Sequence, residues 1–256
     1  MPFYPIQELN RWRSYLALAT LLLASCALPS APAREVPPQQ VLKTAASYAS
    51  HQWIGYTANS LHGTDRLGIE VHTPDQSYQA PEKSTKGWWR VGAINKGIPY
   101  KWGGFDTPAE FDQKLMQGFY AGDVYTTEKG RLLDKAVSHY TAGIDCSGFI
   151  SRCWGLDSAY STRTLHTICT PLSSYAELRA GDILNKFNEH VVLFVKPLDA
   201  ERFLAYEAIS EPFFRVVMRP LRYEYFREQG YQALRYQKMI RKESPSAEGL
   251  VLTDEL

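Results

Sequence analysis

Between Gly143 and Trp154 the chain reads Gly-Ile-Asp-Cys-Ser-Gly-Phe-Ile-Ser-Arg-Cys-Trp. Cys146, Phe149, Ile150, Cys153 and Trp154 fall at three- and four-residue steps, the spacing of one buried helix face. Asp145 stands just before the first turn, where its side chain can cap the exposed N–H groups, and Gly143 permits a tight approach ahead of it. Cys146 therefore opens the helix, where N–H groups without intrahelical partners and the helix dipole favour negative charge. A thiol so placed is drawn towards the thiolate, the nucleophilic form. Most cysteines, however, are small buried core residues, and the helix alone leaves both readings open.

A cysteine nucleophile needs a base, and the chain holds six histidines. His190 opens the run His190-Val191-Val192-Leu193-Phe194-Val195, which reads as a strand following the turn-like Ala180-Gly181-Asp182. A histidine at the mouth of a buried strand is held rigidly, as a general base should be. His51, His62, His72, His139 and His166 sit in polar or loop-like stretches and read as surface or structural groups. No pair of histidines shares a metal-ligand spacing with a third Cys, Asp or Glu, so no zinc site is expected.

Upstream lies Gly97-Ile98-Pro99-Tyr100-Lys101-Trp102-Gly103-Gly104. This block, then Asp145-Cys146-Ser147-Gly148-Phe149, then Gly181-Asp182-Ile183-Leu184 leading to His190, resembles in content and order the NlpC-type cysteine peptidases. Those are papain-like bacterial enzymes that hydrolyse peptide bonds in cell-wall stem peptides. The resemblance runs from about Val91 to Ser210 and rests on three blocks in the right order. It implies an α+β, papain-like fold, with a helix bearing the nucleophilic cysteine packed on an antiparallel sheet. Cys146 would be the nucleophile and His190 the base. Tyr100 would line the site, and Asp145 and Ser147 would help bind the substrate's amino end. The third group in such enzymes, on the strand after the base, is usually His, Asn or Gln. Here that strand is Phe203-Leu204-Ala205-Tyr206-Glu207-Ala208-Ile209. Period two puts Glu207 on one face with Phe203, Ala205 and Ile209, where a carboxylate needs a partner, and His190 is the obvious one. A second departure is the length between Gly104 and Asp145, usually a short link, which here leaves room for a helical insertion at 105–142 and puts the cleft's shape in question.

At 256 residues, 45% hydrophobic and 13% aromatic, the chain can bury a substantial core. Its net charge of +1, with no basic patch, argues against nucleic-acid binding. Residues 1–25 read as an export signal: Arg11 and Arg13, an apolar run from Tyr15 to Ala24, then small residues. Leu23-Ala24-Ser25-Cys26 resembles the bacterial lipoprotein signal, which implies lipid on Cys26 and a protein anchored in a membrane of the cell envelope, facing periplasm or exterior; an ordinary secretory signal is the alternative. A tether at 26–37, an N-terminal arm at 38–90, a catalytic domain at 91–242 and a polar, disordered tail at 243–256 complete the division.

Within it, helices are expected at Pro38–His51, from Gly87 towards Gly97, from Thr107-Pro108-Ala109-Glu110 to Gly118, at Glu128–Ser138 with Leu132, Leu133, Ala136 and Val137 inward, and near 221–228. A short strand is expected at Leu67–Val71, a loop at Ser161–Ser174, and strands near 182–185, 190–196, 203–210, 213–218 and 233–240. Cys146 and Cys153, two helical turns or about 10 Å apart, cannot bridge. Cys153 and Cys169 could form a disulfide outside the cytoplasm or remain free thiols. The expected activity is cleavage of an amide in a peptidoglycan-derived peptide, at the bond from D-Glu to the diamino acid, with no cofactor or metal. Its rivals are a non-catalytic lipoprotein binding wall peptides and an amidase or acyltransferase on another substrate.

Overall fold

The computed structural model describes residues 35–80 and 85–240. The export segment, Cys26, most of the tether and the tail at 243–256 lie outside the described residues. The tether's last residues are docked: Val36 is buried, donates to the carbonyl of Lys238 at 3.0 Å and accepts from the N–H of Ile240 at 2.9 Å.

Helix α1 (Pro38–Ser50) begins with proline in its first turn and buries Val41, Ala45 and Tyr48. The rest of the arm carries β1 (Gln52–Ile54), β2 (His62–Thr64) and β3 (Glu70–His72), and β4 (Ile94–Lys96) follows it. Strands β2 and β3 pair as a hairpin, and β1 pairs with β4. The strand expected at Leu67–Val71 begins only at Glu70. The Asp65 carboxylate accepts from the N–H groups of Leu67 and Ile69, at 2.8 and 3.0 Å, and holds 65–69 as a turn. The helix expected from Gly87 towards Gly97 is absent. Here Trp88 and Trp89 both donate to the carbonyl of Pro74. Asn95 closes 90–95 into a loop, accepting from the N–H of Arg90 at 2.9 Å and donating to its carbonyl at 3.0 Å.

The insertion holds α2 (Pro108–Met116), β5 (Tyr120–Ala121), α3 (Thr127–Leu132) and β6 (Thr141–Ala142). Thr107 and Glu110 form the reciprocal cap that their spacing predicts. The α-helical part of the second helix is shorter than expected: Leu133 takes φ 53° and a 3-10 turn runs through Leu133–Ala136, with Ala136 buried as expected, while α3 itself stops at Leu132. Its inward residue is not a leucine but Lys129, fully buried, whose ammonium donates to the Asp123 carboxylate and, at 2.7 Å, to the carbonyl of Glu70. Leu132 is 37% exposed.

Helix α4 (Cys146–Cys153) packs on a six-stranded antiparallel sheet in the order β11-β10-β9-β8-β12-β7. These are β7 (Cys169–Pro171), β8 (Ile183–Lys186), β9 (His190–Pro197), β10 (Arg202–Ile209), β11 (Arg215–Arg222) and β12 (Gln232–Tyr236), with α5 (Tyr223–Glu228) between the last two. The stretch expected as a loop at Ser161–Ser174 thus supplies an edge strand, β7, which tolerates Pro171 because its outer N–H has no ladder partner to lose. For the same reason β11, the other edge, runs through Pro220 to Arg222. The α+β class is therefore as expected.

Period two divides the sheet between two cores. Val191, Leu193, Tyr206 and Ala208 join α4 and α1 in one, where Tyr48 meets Phe149 edge-on at 5.6 Å. Val192, Phe194, Phe203 and Ala205 join Tyr223, Phe226 and Tyr231 in the other. Both faces of β9 are covered, which is why it reads as an unbroken apolar run. Each fully buried side chain such as Phe149 contributes roughly 1.5–3 kcal/mol. Cys153 and Cys169 are free, buried thiols.

The Lys129–Asp123 pair ties the insertion to the arm, since Asp123 also accepts from the N–H of His72 at 3.1 Å. Replacing Lys129 by Met leaves a wholly buried carboxylate without its cation and should cost roughly 3–5 kcal/mol in chemical denaturation. Adding Asp123→Asn should recover part of that loss. A Lys129→Met protein as stable as the wild type would show that the pair does not hold the insertion in place.

Candidate active site

The head of α4 is built by backbone contact. Residues 99–106 wrap around 143–145: Ile144 donates to the carbonyl of Pro99 at 3.1 Å, and Lys101 donates to that of Ile144 at 3.1 Å. Asp145 donates to the carbonyl of Gly104 at 3.2 Å. Gly148, in the first turn of α4, lies on that same carbonyl; a Cβ there would sit 2.1 Å from its oxygen. Gly143 has φ 146°, and a Cβ there would meet the carbonyl oxygen of Pro99 at 2.5 Å. The glycines flanking Asp145-Cys146-Ser147 are thus what allows the Tyr100 and Cys146 blocks to meet.

Asp145 caps α4, its Oδ1 accepting from the N–H of Gly148 at 2.6 Å and from the Ser147 hydroxyl at 3.1 Å. Burial pushes the Asp145 carboxyl up, opposed by those two donors and by the charge of Lys101. Cys146 follows at the first helical position, 7% exposed. His190, the first residue of β9, lines the same cavity as Cys146, and the two groups act on each other's charge. On its other side, His190 Nε2 meets Glu207 Oε2 at 2.9 Å. With Nε2 so engaged, Nδ1 is the ring atom left to serve the thiol.

Glu207 is 1% exposed, in the middle of β10. Its Oε1 accepts from Nε–H of Arg219, on β11. Burial alone would push this carboxyl up, but the hydrogen bond and charge of His190, together with Arg219, bring it below the usual carboxylate range. His190 shows the complement. Burial would lower it, yet hydrogen bonds to Cys146 and Glu207 and their charges outweigh burial and push it up to about 10.

Tyr100, Asp145, Cys146, Ser147 and His190 all line one cavity of about 650 Å³. Tyr100 is fixed from both sides of its backbone, donating to the carbonyl of Phe214 at 2.8 Å and accepting from the N–H of Asp123 at 2.9 Å. Burial, and then the nearby Cys146 and Asp145, push its phenol well up, so it stays a hydrogen-bond donor. Glu207 stands apart from these five: it lines a smaller adjoining cavity of about 380 Å³, with His190, Arg219 and Tyr231. Three of the other five histidines face carboxylates outside the cavity lining, His51 at Asp112, His62 at Asp75 and His72 at Glu70. Among the described residues no group of three or more His, Cys, Asp or Glu could hold a metal ion.

Sequence reasoning passed over three parts of the site. Trp102 stands in the same block as Tyr100, but no role was read for it; its indole donates to the carbonyl of Leu133 at 3.3 Å and joins Leu133 and Val137 of the insertion in a wall of the cavity. Tyr225 and Tyr231 close the cleft from α5 and the turn after it. Arg219 is legible only once β10 and β11 are in register: Ala205 faces Arg219 and Glu207 faces Val217, which makes Glu207 and Arg219 diagonal neighbours on one face. No protein-family model matches the chain, and no curated protein matches it.

Proposed function

We propose that this chain is a papain-like cysteine hydrolase of the NlpC type. It cleaves an amide in peptidoglycan stem peptides, at the bond from D-Glu to the diamino acid. The observation that carries this reading is His190, held at 2.9 Å by the buried Glu207 carboxylate and lining, with Cys146 at the head of a helix, one cavity large enough for a short peptide. A core cysteine has no use for a histidine held by a buried carboxylate, and neither has a protein that only binds. The three sequence blocks and their order supply the family and the substrate class.

In this reading Cys146 Sγ attacks the amide carbonyl while His190 holds the proton as imidazolium. Backbone N–H groups at the start of α4, including that of Cys146, face the developing oxyanion. His190 then gives its proton to the leaving amine, and water, activated by the same imidazole, frees the acyl-enzyme. Glu207 keeps the ring turned and supports its charged form. Tyr100, Asp145 and Ser147 bind the substrate beside the nucleophile. The export segment and Leu23-Ala24-Ser25-Cys26 support a place outside the cytoplasm on a lipid anchor; two acyl chains suffice for stable attachment. Among the described residues no helix is long and apolar enough to cross a membrane.

The direct test is incubation of the purified protein with cell-wall digests, with products followed by mass spectrometry. Cys146→Ala should abolish release of cleaved stem peptides while leaving the melting temperature close to wild type, since only a sulfur leaves a cleft position. Activity above a trace in that variant removes Cys146 from the nucleophile's place.

Glu207→Gln keeps a hydrogen bond to His190 but loses the charge, so turnover should fall; Glu207→Ala should lose more. The sign of the pH effect follows from His190. Its folded value, about 10, is raised, so the imidazolium persists in acid and is lost as pH rises through about 10. The alkaline limb of kcat/KM is expected there, and loss of the Glu207 charge should move it to lower pH. Wild-type turnover and pH dependence in both variants would take Glu207 out of the site.

The anchor has its own measurement. Intact mass of the protein from its native host membrane should correspond to a chain beginning at Cys26 with two or three acyl chains. A product without lipid mass, or beginning elsewhere, would overturn the anchor and leave the hydrolase reading standing.

A further inference from the structure

We propose that Arg219 is a positioning residue of the Cys146–His190 pair, acting through Glu207: it keeps that carboxylate ionised and oriented so that Oε2 remains on His190. This rests on the cysteine-hydrolase reading given above. The geometry carries it. Glu207 is 1% exposed and divides its oxygens between two partners, Oε2 to His190 Nε2 at 2.9 Å and Oε1 to Arg219 Nε. A carboxylate held at one oxygen can swing; held at both, it cannot. Arg219 is itself held, its guanidinium lying 5.5 Å from the centre of the Phe213 ring.

Charge points the same way. Thiolate, imidazolium, carboxylate and guanidinium alternate in sign along the series and sum to zero. Without Arg219 the buried remainder carries a net negative charge and binds a proton more readily. Neither of the other two arginines that line the cavities is a partner of the carboxylate, and Arg163 lines only the larger one, which Glu207 does not line. Arg222, at the rim of the smaller cavity, is 61% exposed and lies 3.3 Å from Glu224 and 3.5 Å from Glu201. From β9 the charged neighbour is His190 itself; Glu189, just before it, is paired with Lys186 at 2.7 Å. From α5 and the turn after it come Tyr225 and Tyr231, both uncharged as phenols. Burial pushes the Tyr231 phenol up, which keeps it so. Arginine suits the place because it stays charged when half-buried, where a lysine shifts more readily.

The test reads the pair without needing a substrate. The full-length protein is alkylated with iodoacetamide across the acid and alkaline range, and the peptide bearing Cys146 is followed by mass spectrometry. Peptide-level readout keeps Cys146 separate from Cys153 and Cys169, which are buried with thiols pushed up. Wild-type Cys146 should react in mild acid, as a thiolate–imidazolium pair does and a free thiol does not. Removing a nearby positive charge raises the proton affinity of the whole series. Arg219→Met should therefore move the acid limb to higher pH by about one unit. Arg219→Lys, which keeps the charge, should return most of that shift. In a Glu207→Gln background Arg219→Met should move the limb by less than half as much, because the group it acts through is gone. If Arg219→Met does not fold, Arg219→Gln supplies the same comparison. An unmoved limb in these variants, or a shift of full size in the Glu207→Gln background, overturns the proposal while leaving the hydrolase reading intact. A wild-type Cys146 that reacts only as a free thiol overturns both.

Discussion

The contact of Gly148 with the carbonyl of Gly104 is the constraint on which the site depends. It brings the first turn of α4 against a separate segment of chain with no side chain between them, and a Cβ at Gly148 would lie 2.1 Å from that oxygen. Around it, Asp106 and Gly143 pair at the base of the insertion. Asp106 N–H donates to the carbonyl of Gly143 at 3.2 Å, and its carboxylate accepts from the N–H of Gly143 at 2.9 Å. The two ends of the insertion are thus fixed side by side. A segment whose ends already meet can be lengthened at little entropic cost. The segment between them can therefore be long while the Tyr100 and Cys146 blocks still meet.

The insertion is then built back onto the cleft instead of projecting from it. The buried Lys129–Asp123 pair fixes α3 to the arm, and Trp102 holds the carbonyl of Leu133. Leu133 takes φ 53° there, in a region a branched side chain rarely enters, and it lines the same cavity as Cys146. Backbone held against its preference needs surroundings that over-determine it. Here those surroundings are the indole of Trp102 and the buried pair behind it.

How far the sequence could be read follows from which forces are local. Helix α4, α1 and the capped start of α2 were legible because periodicity, a cap and a proline act within a few residues. The strands from β8 to β10 were legible because both faces are covered and the apolar runs are continuous. Glu207 was legible for a related reason: a carboxylate on an apolar face must be paired, and a histidine opened the preceding strand. Elsewhere the deciding contact was distant. Trp88 and Trp89 look like helix formers beside Gly87, but their N–H groups go to Pro74. Lys129 looks like the solvent face of a helix, yet it pairs with Asp123 inside. Pro220 looks like the end of a strand, and it would be one anywhere but at an edge. Arg219 needed a register that no local pattern supplies.

Two buried carboxylates show how partner number sets ionisation in this protein. Asp123 and Glu207 are both cut off from water, at 0% and 1% exposure. Burial pushes Asp123 up to about 6 even though Lys129 donates to it. Glu207, under a similar penalty, is held below the usual carboxylate range. The difference lies in what each oxygen meets. Asp123 has one ammonium on one oxygen and a neutral backbone N–H on the other. Glu207 has a cation on each: a guanidinium that does not titrate, and an imidazole whose own proton is held by the same hydrogen bond. One cation is enough to lock an insertion in place. Under the same burial Glu207 keeps its charge with two, and one of them is a guanidinium.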